Sequence, residues 1–264
     1  NDGHGCDMIL SASEAYIHNI ENKAYYEAEL DLKMRGEYYC DAVFSPDGLH
    51  SLLVLTHSSH LKYSPHDYVY PWVDLQENLQ LKSLYSGQVL DPVEVIEEDL
   101  RLLDTLRQGG FLISSDSLFN TEHVVPQSWF DGKEPMRGDL HHLFACEPAC
   151  NSMRSNHPYH DFSSYEPELA ASGIRSGCGM VEAGKFEPEY GKGIVARAVF
   201  YFTLRYKDVI RLDGLMNFEL LLKWHIEHSV TLYEKHRNAA IQELQGNRNP
   251  FIDFPEKARD MLCL

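Results

Sequence analysis

Residues 120–130 read NTEHVVPQSWF, and residues 137–156 read RGDLHHLFACEPACNSMRSN. The first stretch sets an acid beside a base, Glu122 and His123, directly before Val124, Val125 and Pro126. The run LFNTEHVV (118–125) is bounded by polar residues and ends in valines, so it reads as a short strand. Pro126 has no N–H with which to continue a ladder. In the second stretch, DLHHLFA (139–145) reads as another short strand, with Leu140, His142 and Phe144 on one face and His141 and Leu143 on the other. Pro148 then opens a helix on which Asn151 and Arg154, three apart, are neighbours on one face. The order is strand, loop, strand, helix. Consecutive strand residues point to opposite faces, so Glu122 and His123 share a site only where the strand bends or ends. A strand end beside Pro126 meets that condition.

Working outward, SASE places Ser11 three residues before Glu14, a capping box ahead of a helix running through about residue 33. SPDG (45–48) reads as a turn, and residues 49–64 as a helix with Leu49, Leu52, Leu53 and Leu61 inward. Short extended pieces are expected at YVYPWVDL (68–75) and LKSLYSG (81–87). PVEVIEEDLRLLDTLRQ (92–108) predicts a helix begun by Pro92 and stopped by Gly109 and Gly110. A Ser- and Gly-rich loop covers 160–180. Helices follow at about 192–211, 215–228 and 229–245, the last ended by Gly246. No internal repeat, low-complexity tract or interdomain linker is visible. The expectation is one unit over 1–264, a mainly helical α+β chain with the strand–strand–helix piece at about 118–160.

The chain has 264 residues, 44% of them hydrophobic, 24% charged and 11% aromatic, which is enough for a packed core and argues against disorder. The longest apolar run, SLLVL (51–55), falls far short of the roughly 18 residues of a membrane helix, so a soluble protein without a membrane partner is expected. The chain starts at Asn1 without a methionine, which fits removal of an N-terminal segment such as a secretory signal, and hence an extracellular or periplasmic place.

The formal net charge of −17 argues at first against a nucleic-acid binder, because phosphates are held by Lys and Arg. The distribution weakens the objection. Residues 11–31 and 92–100 carry much of the acid, while KEPMRGD, NSMRSN, EKHRN and GNRN set cations beside Asn and Gly. An acidic body with a local cationic cleft is expected, with Lys133, Arg137, Arg154 and Arg248 on the His123 side.

Six cysteines are present: Cys6, Cys40, Cys146, Cys150, Cys178 and Cys263. The density is too low for a disulfide scaffold. The simpler reading of Cys146, Cys150 and Cys178 is one staple plus buried thiols. The sharper one is a zinc site completed by His141 or His142, although the spacing fits no standard zinc pattern. Trp72, Trp129 and Trp224 read as core residues, as do Leu232, Ile241 and Leu244.

The residues in the central stretches have the chemistry of phosphodiester hydrolysis, which needs a base, a cation on the phosphate and further positive charge. His123 supplies a base near neutral pH. Glu122 and Asn151 offer hard oxygen ligands, a set that suits Mg²⁺ completed by water and phosphate. Arg137, in the loop, is placed to reach a phosphate, and Arg154 to meet a phosphate or a carboxylate. Lys133 and Arg248 are candidates for substrate contact. The polar cluster Arg237, Asn238, Asn247, Arg248 and Asn249 is either DNA-facing or a buried brace.

On the motifs EHVVPQSWF, DLHHLF, NSMRSN, KGIVAR, KHRNAAI and QGNRNPFID, spanning residues 122–253, the chain resembles the endonuclease I family of ββα-metal (His-Me finger) nucleases, especially its secreted bacterial members. YPWVDL and LKSLYSG extend the match upstream. Ala145 departs from the proline common after LF, and Cys150 from a common aliphatic residue; both concern packing rather than ligands. The resemblance implies a ββα-metal core, His123 as general base and Glu122 and Asn151 as ligands to Mg²⁺, with Mn²⁺ or Ca²⁺ as alternatives. It further implies sequence-nonspecific cleavage of DNA and RNA that leaves 5′-phosphate ends. Two rival readings are a zinc-stabilised binding module and an inactive relative that only binds nucleic acid. The intact Glu122, His123 and Asn151 argue against the second.

Overall fold

A computed structural model describes residues 10–109, 119–167 and 177–264. Cys6, Gly110, Leu118 and the middle of the Ser/Gly-rich loop lie outside the described residues. Helix α1 (Ala12–Asn22) begins with the expected capping box: the Ser11 hydroxyl accepts from the Glu14 N–H, and the Glu14 carboxylate accepts from the Ser11 N–H. The helix stops at Lys23, which is extended, and α2 (Ala28–Tyr38) starts anew. The single helix expected through residue 33 is therefore two. Tertiary contacts account for the break, since the Tyr25 hydroxyl donates to the Leu75 carbonyl and its ring stacks on His236.

Ser45 and Pro46 start α3 (Pro46–Thr56), with the Ser45 hydroxyl accepting from the Gly48 N–H. SPDG is thus the first turn of a helix rather than a free turn. Leu49 and Leu53 are buried on it, while the helix ends before Leu61. The short α4 (Pro65–Tyr68) runs into a π-helical turn over Val69–Val73, all buried. The extended piece expected there is helical, because a short continuous apolar run buries equally well in either form. β1 (Leu81–Lys82) and β2 (Val89–Leu90) pair antiparallel. α5 (Pro92–Gln108) is capped by Asp91 and stops at Gly109.

β3 (Thr121–His123) pairs antiparallel with β4 (Leu143–Ala145), Glu122 opposite Phe144 and His123 opposite Leu143. The second strand is shorter than expected. The Asp139 carboxylate accepts the His141 N–H, which turns Leu140–His142 into a 3₁₀ turn and removes the strand alternation assigned to those residues. α6 (Pro148–Arg154) opens at Pro148 and carries Asn151 and Arg154.

β5 (Gly179–Glu182) and β6 (Lys185–Pro188) form a hairpin. Then come α7 (Lys192–Arg205), α8 (Phe218–Glu227), α9 (Leu232–Gln245), α10 (Pro250–Asp253) and α11 (Ala258–Leu262). Gly246 closes α9 in the left-handed region at φ 101°, which suits glycine. α7 is buried almost around its whole surface and forms the axis of the larger core. Trp224 and Trp72 are buried and Trp129 partly so, whereas Leu232 is 39% exposed at the first turn of α9 rather than in the core. The whole is a mainly helical α+β arrangement with three small two-stranded sheets among the described residues.

The cluster at the end of α9 is a brace. Arg237 pairs with Asp74 and donates to the carbonyls of Leu140 and Leu143 at 2.8 Å each, bridging α9 to the start of β4. The Asn247 amide donates to the Tyr201 hydroxyl, and the Asn238 amide oxygen accepts from the Asn249 N–H.

Candidate active site

The strand end is secured from behind. The Tyr70 hydroxyl meets both Asp99 and Thr121, and Asp99 accepts from the Asn120 N–H at 3.2 Å and its amide at 2.9 Å. Burial raises the Asp99 carboxyl, while these donors counter the rise. Thr121 in turn offers its carbonyl to Asn151 Nδ2 at 2.7 Å, which ties α6 to β3. With its nitrogen in that bond, Asn151 has Oδ1 as the atom that could ligate a cation.

Glu122 is 3% exposed and its carboxylate lies 3.2 Å from Arg154 Nη1. Arg154, itself buried, also donates to the carbonyls of His123, Val124 and His157, and its guanidinium lies over the Tyr159 ring. One cation therefore holds the carboxylate and the backbone just past it. Burial raises the Glu122 carboxyl, and Arg154 pulls in the opposite direction.

His123 Nε2 lies 2.9 Å from the Arg137 carbonyl. A carbonyl only accepts, so Nε2 carries the hydrogen and the neutral ring keeps its lone pair on Nδ1. Nδ1 has no hydrogen-bond partner among the described residues. Burial holds the imidazole well below its ordinary pKa, helped by the adjacent His142 and opposed by the hydrogen bond to the Arg137 carbonyl. The ring sits 4.9 Å from that of Tyr63 and edge-on to His142.

Glu122, His123 and Asn151 line one cavity of about 520 Å³, with Gln127, Asp131 and Asn156 on its walls. The ladder ends at His123, and the next backbone groups are turned onto Arg154 and, through the Val124 N–H, the His142 carbonyl. Neighbouring side chains of opposite strand faces thus reach one cavity at a strand end. A carboxylate oxygen and an amide oxygen fit a hard cation that retains water ligands. The donor set does not suit a closed zinc site, which takes four N or S ligands.

The remaining candidates are placed differently. Arg137 borders the cavity through Gln127, whose Oε1 accepts from its Nε at 3.0 Å, and its guanidinium lies over the Tyr63 ring. Lys133 is exposed on the same loop. Arg154 meets a carboxylate rather than a phosphate and lies beneath the cavity. Arg248, expected at the substrate face, is buried with Asp253 and Asp31 at 2.8 Å each, and its guanidinium donates to Asp253, Asp31 and Gln242 inside the fold. The cationic face expected from four residues is thus reduced to Lys133 and Arg137.

Cys150 and Cys178 form a disulfide joining α6 to the approach to β5, while Cys146 is a buried thiol and Cys40 and Cys263 are exposed. Two thiols of the zinc reading are bonded to each other. His141 and His142 turn their Nε2 atoms to the carbonyls of Asn247 and Met136. The staple with a buried thiol is the arrangement found. Tyr63 and Asp99 support the site with no local motif to mark them; Tyr70 stands inside YPWVDL, Glu134 inside KEPMRGD and Gln127 inside EHVVPQSWF, and each could have been singled out there.

The chain matches the family model described as Endonuclease I over residues 54–256. It is 32% identical over 164 residues to an extracellular ribonuclease of Bacillus amyloliquefaciens, covering 54% of this chain and 53% of the relative. It is 29% identical over 155 residues to an extracellular deoxyribonuclease of Aeromonas hydrophila, covering 50% of this chain and 64% of the relative. A periplasmic deoxyribonuclease of the same organism is 28% identical over 155 residues, with 50% and 62% covered. The chain spans about half the length of the ribonuclease and under two thirds of either deoxyribonuclease. No helix among the described residues is long and apolar enough to cross a membrane.

Proposed function

The chain belongs to the endonuclease I family, and on that premise we propose that it is a metal-dependent, sequence-nonspecific endonuclease acting on DNA and RNA. We take its described elements as one nuclease unit, with β3, β4 and α6 as a ββα-metal core. Relatives named as ribonuclease and as deoxyribonuclease support the breadth of substrate, and their extracellular and periplasmic descriptions support release from the cytoplasm.

The observation that carries the reading is the tautomer of His123. Its Nε2–H is held by the Arg137 carbonyl, so Nδ1 is the basic nitrogen in a cavity shared with Glu122 and Asn151. In the proposed reaction Nδ1 takes a proton from water as its oxygen attacks phosphorus, and the P–O3′ bond breaks, the departing 3′ oxygen taking a proton from a second water, to leave a 5′-phosphate and a 3′-hydroxyl. Glu122 and Asn151 would hold Mg²⁺, with Mn²⁺ or Ca²⁺ as substitutes. A divalent ion there supplies charge for the phosphate and the leaving oxygen. Arg154 keeps Glu122 and the strand end in place, and Arg137 with Lys133 offers positive charge at the rim. Burial of His123 disfavours its charged form, so the ring is neutral and ready to accept a proton at neutral pH.

The test is plasmid and RNA cleavage with Mg²⁺, with and without chelator. Cleavage that chelator abolishes supports the reading. Stoichiometric nucleic-acid binding without cleavage overturns it.

A further inference from the structure

One peptide unit stands between His123 and a carboxylate. The Arg137 carbonyl accepts His123 Nε2–H at 2.9 Å, and the N–H of the same amide, that of Gly138, donates to Glu134 Oε2 at 2.9 Å. The two ends of an amide are joined by resonance. A negative charge at the N–H end draws the amide toward its charge-separated form and makes the oxygen a stronger acceptor, as in any chain of hydrogen bonds.

The surroundings fix this peptide. Glu134 Oε1 also accepts the Tyr63 N–H at 3.3 Å, so the carboxylate bridges two backbone segments. The Tyr63 ring then lies against both the His123 ring, at 4.9 Å, and the Arg137 guanidinium, at 4.7 Å. Position 138 admits no side chain, because a Cβ there would stand 2.0 Å from the Leu61 carbonyl oxygen. The amide cannot shift toward solvent without losing either the carboxylate or the imidazole.

We propose that Glu134 is a positioning residue for His123, acting through the Arg137–Gly138 peptide. The proposal rests on His123 being the general base. A carboxylate commonly fixes the far nitrogen of a working histidine by direct contact; here an amide is interposed and transmits both the orientation and part of the charge. Glu134 is not among the residues that line the cavity, so its influence falls on the base rather than on substrate or metal.

The experiment compares Glu134→Ala and Glu134→Gln in the full chain. Glu134 is exposed, so neither change empties the core. In Glu134→Ala, kcat should fall about tenfold or more while KM stays within about twofold, in line with the loss of an orienting partner. Glu134→Gln keeps an acceptor oxygen of the same reach without the charge and should fall by less. Nitrogen-15 NMR of the imidazoles supplies a second readout. His123 should report a protonated Nε2 in the wild type, with a weaker Nε2–H hydrogen bond in Glu134→Ala. Wild-type kcat in Glu134→Ala, or a loss seen only as a lower melting temperature with kcat per folded molecule intact, overturns the proposal. If the wild type does not cleave at all, the nuclease reading fails, and the NMR comparison alone decides whether Glu134 reaches His123.

Discussion

The guanidinium of Arg154 lies 3.2 Å from the carboxylate of Glu122, and both are shielded from water. The acid proposed to hold the metal is thus also half of a buried ion pair, and substitutions there act in two ways. Glu122→Ala should weaken metal binding and also strand Arg154, at about 3–5 kcal/mol for an uncompensated buried charge. Glu122→Gln and Asn151→Ala are milder. Both should raise the Mg²⁺ concentration needed for half-maximal cleavage, with partial recovery in excess metal. Metal titrations unchanged in all three variants would remove these residues from the site.

His123→Ala should lower kcat by about 10²–10⁴, the range for loss of a general base, while circular dichroism and metal affinity stay near wild type. Turnover near the wild-type rate would exclude His123 as the base.

Acid should destabilise the fold well before ordinary carboxylates titrate. Burial pushes His141 and His142 down to about 4. Their unfolded forms, near 6.5, bind protons that the folded forms refuse, so stability falls as pH drops from about 6.5 toward 4. A shift of that size is worth about 3 kcal/mol per histidine. Asp139 acts in the same direction at lower pH: burial alone would raise its carboxyl, but the surrounding histidines hold it below its usual range. Asp74, Asp99 and Glu122, raised by burial, bind protons in the folded state and offset part of the loss as pH falls. Melting temperatures measured from pH 7 to pH 4 should decline through this window, and a flat profile would contradict the assignment.

The Cys150–Cys178 bond closes a separation of 28 residues and anchors the helix that bears Asn151. Its removal should cost about 3–4 kcal/mol by loop-closure entropy. The double variant Cys150→Ser/Cys178→Ser removes the bond without a reductant. It should melt lower and need more Mg²⁺ than wild type. An unchanged metal requirement would mean that α6 is held without the bond.

With Arg154 and Arg248 turned inward, few cations remain to meet phosphates. Binding of an inactive variant to duplex DNA should show a log–log salt slope of about −2 to −4, and Lys133→Ala should reduce its size by about 0.9. A slope near −10 would point to a basic surface of a different extent.

Local chemistry made much of the fold legible. Ser11 with Glu14, Pro92, Pro148 and Gly246 marked helix ends because each satisfies or forgoes a terminal backbone bond within a few residues. The meeting of Glu122, His123 and Asn151 was legible from their order along one short stretch. The directions of charged side chains were not. Nothing near Arg248 announces Asp31 as its partner, and nothing near Glu134 announces Tyr63. The π-helical turn at Val69–Val73 escaped because its residues are buried on every side, which erases the periodicity that distinguishes helix from strand. Tyr25 broke the first helix through contacts with Leu75 and His236 that no local pattern encodes.

The inward arginines also bear on how long the molecule lasts. Arg237 joins Asp74 across 163 positions of chain, and Arg248 joins Asp31 across 217. Such pairs form only when distant parts of the polypeptide have already met, and separating them exposes a lone charge to the interior. Losing either pair therefore means parting distant segments of chain together, which favours a cooperative opening and raises the barrier to it. Were the proposed nuclease to act outside the cytoplasm, as its relatives are described to do, persistence of that kind would matter more than a high melting point.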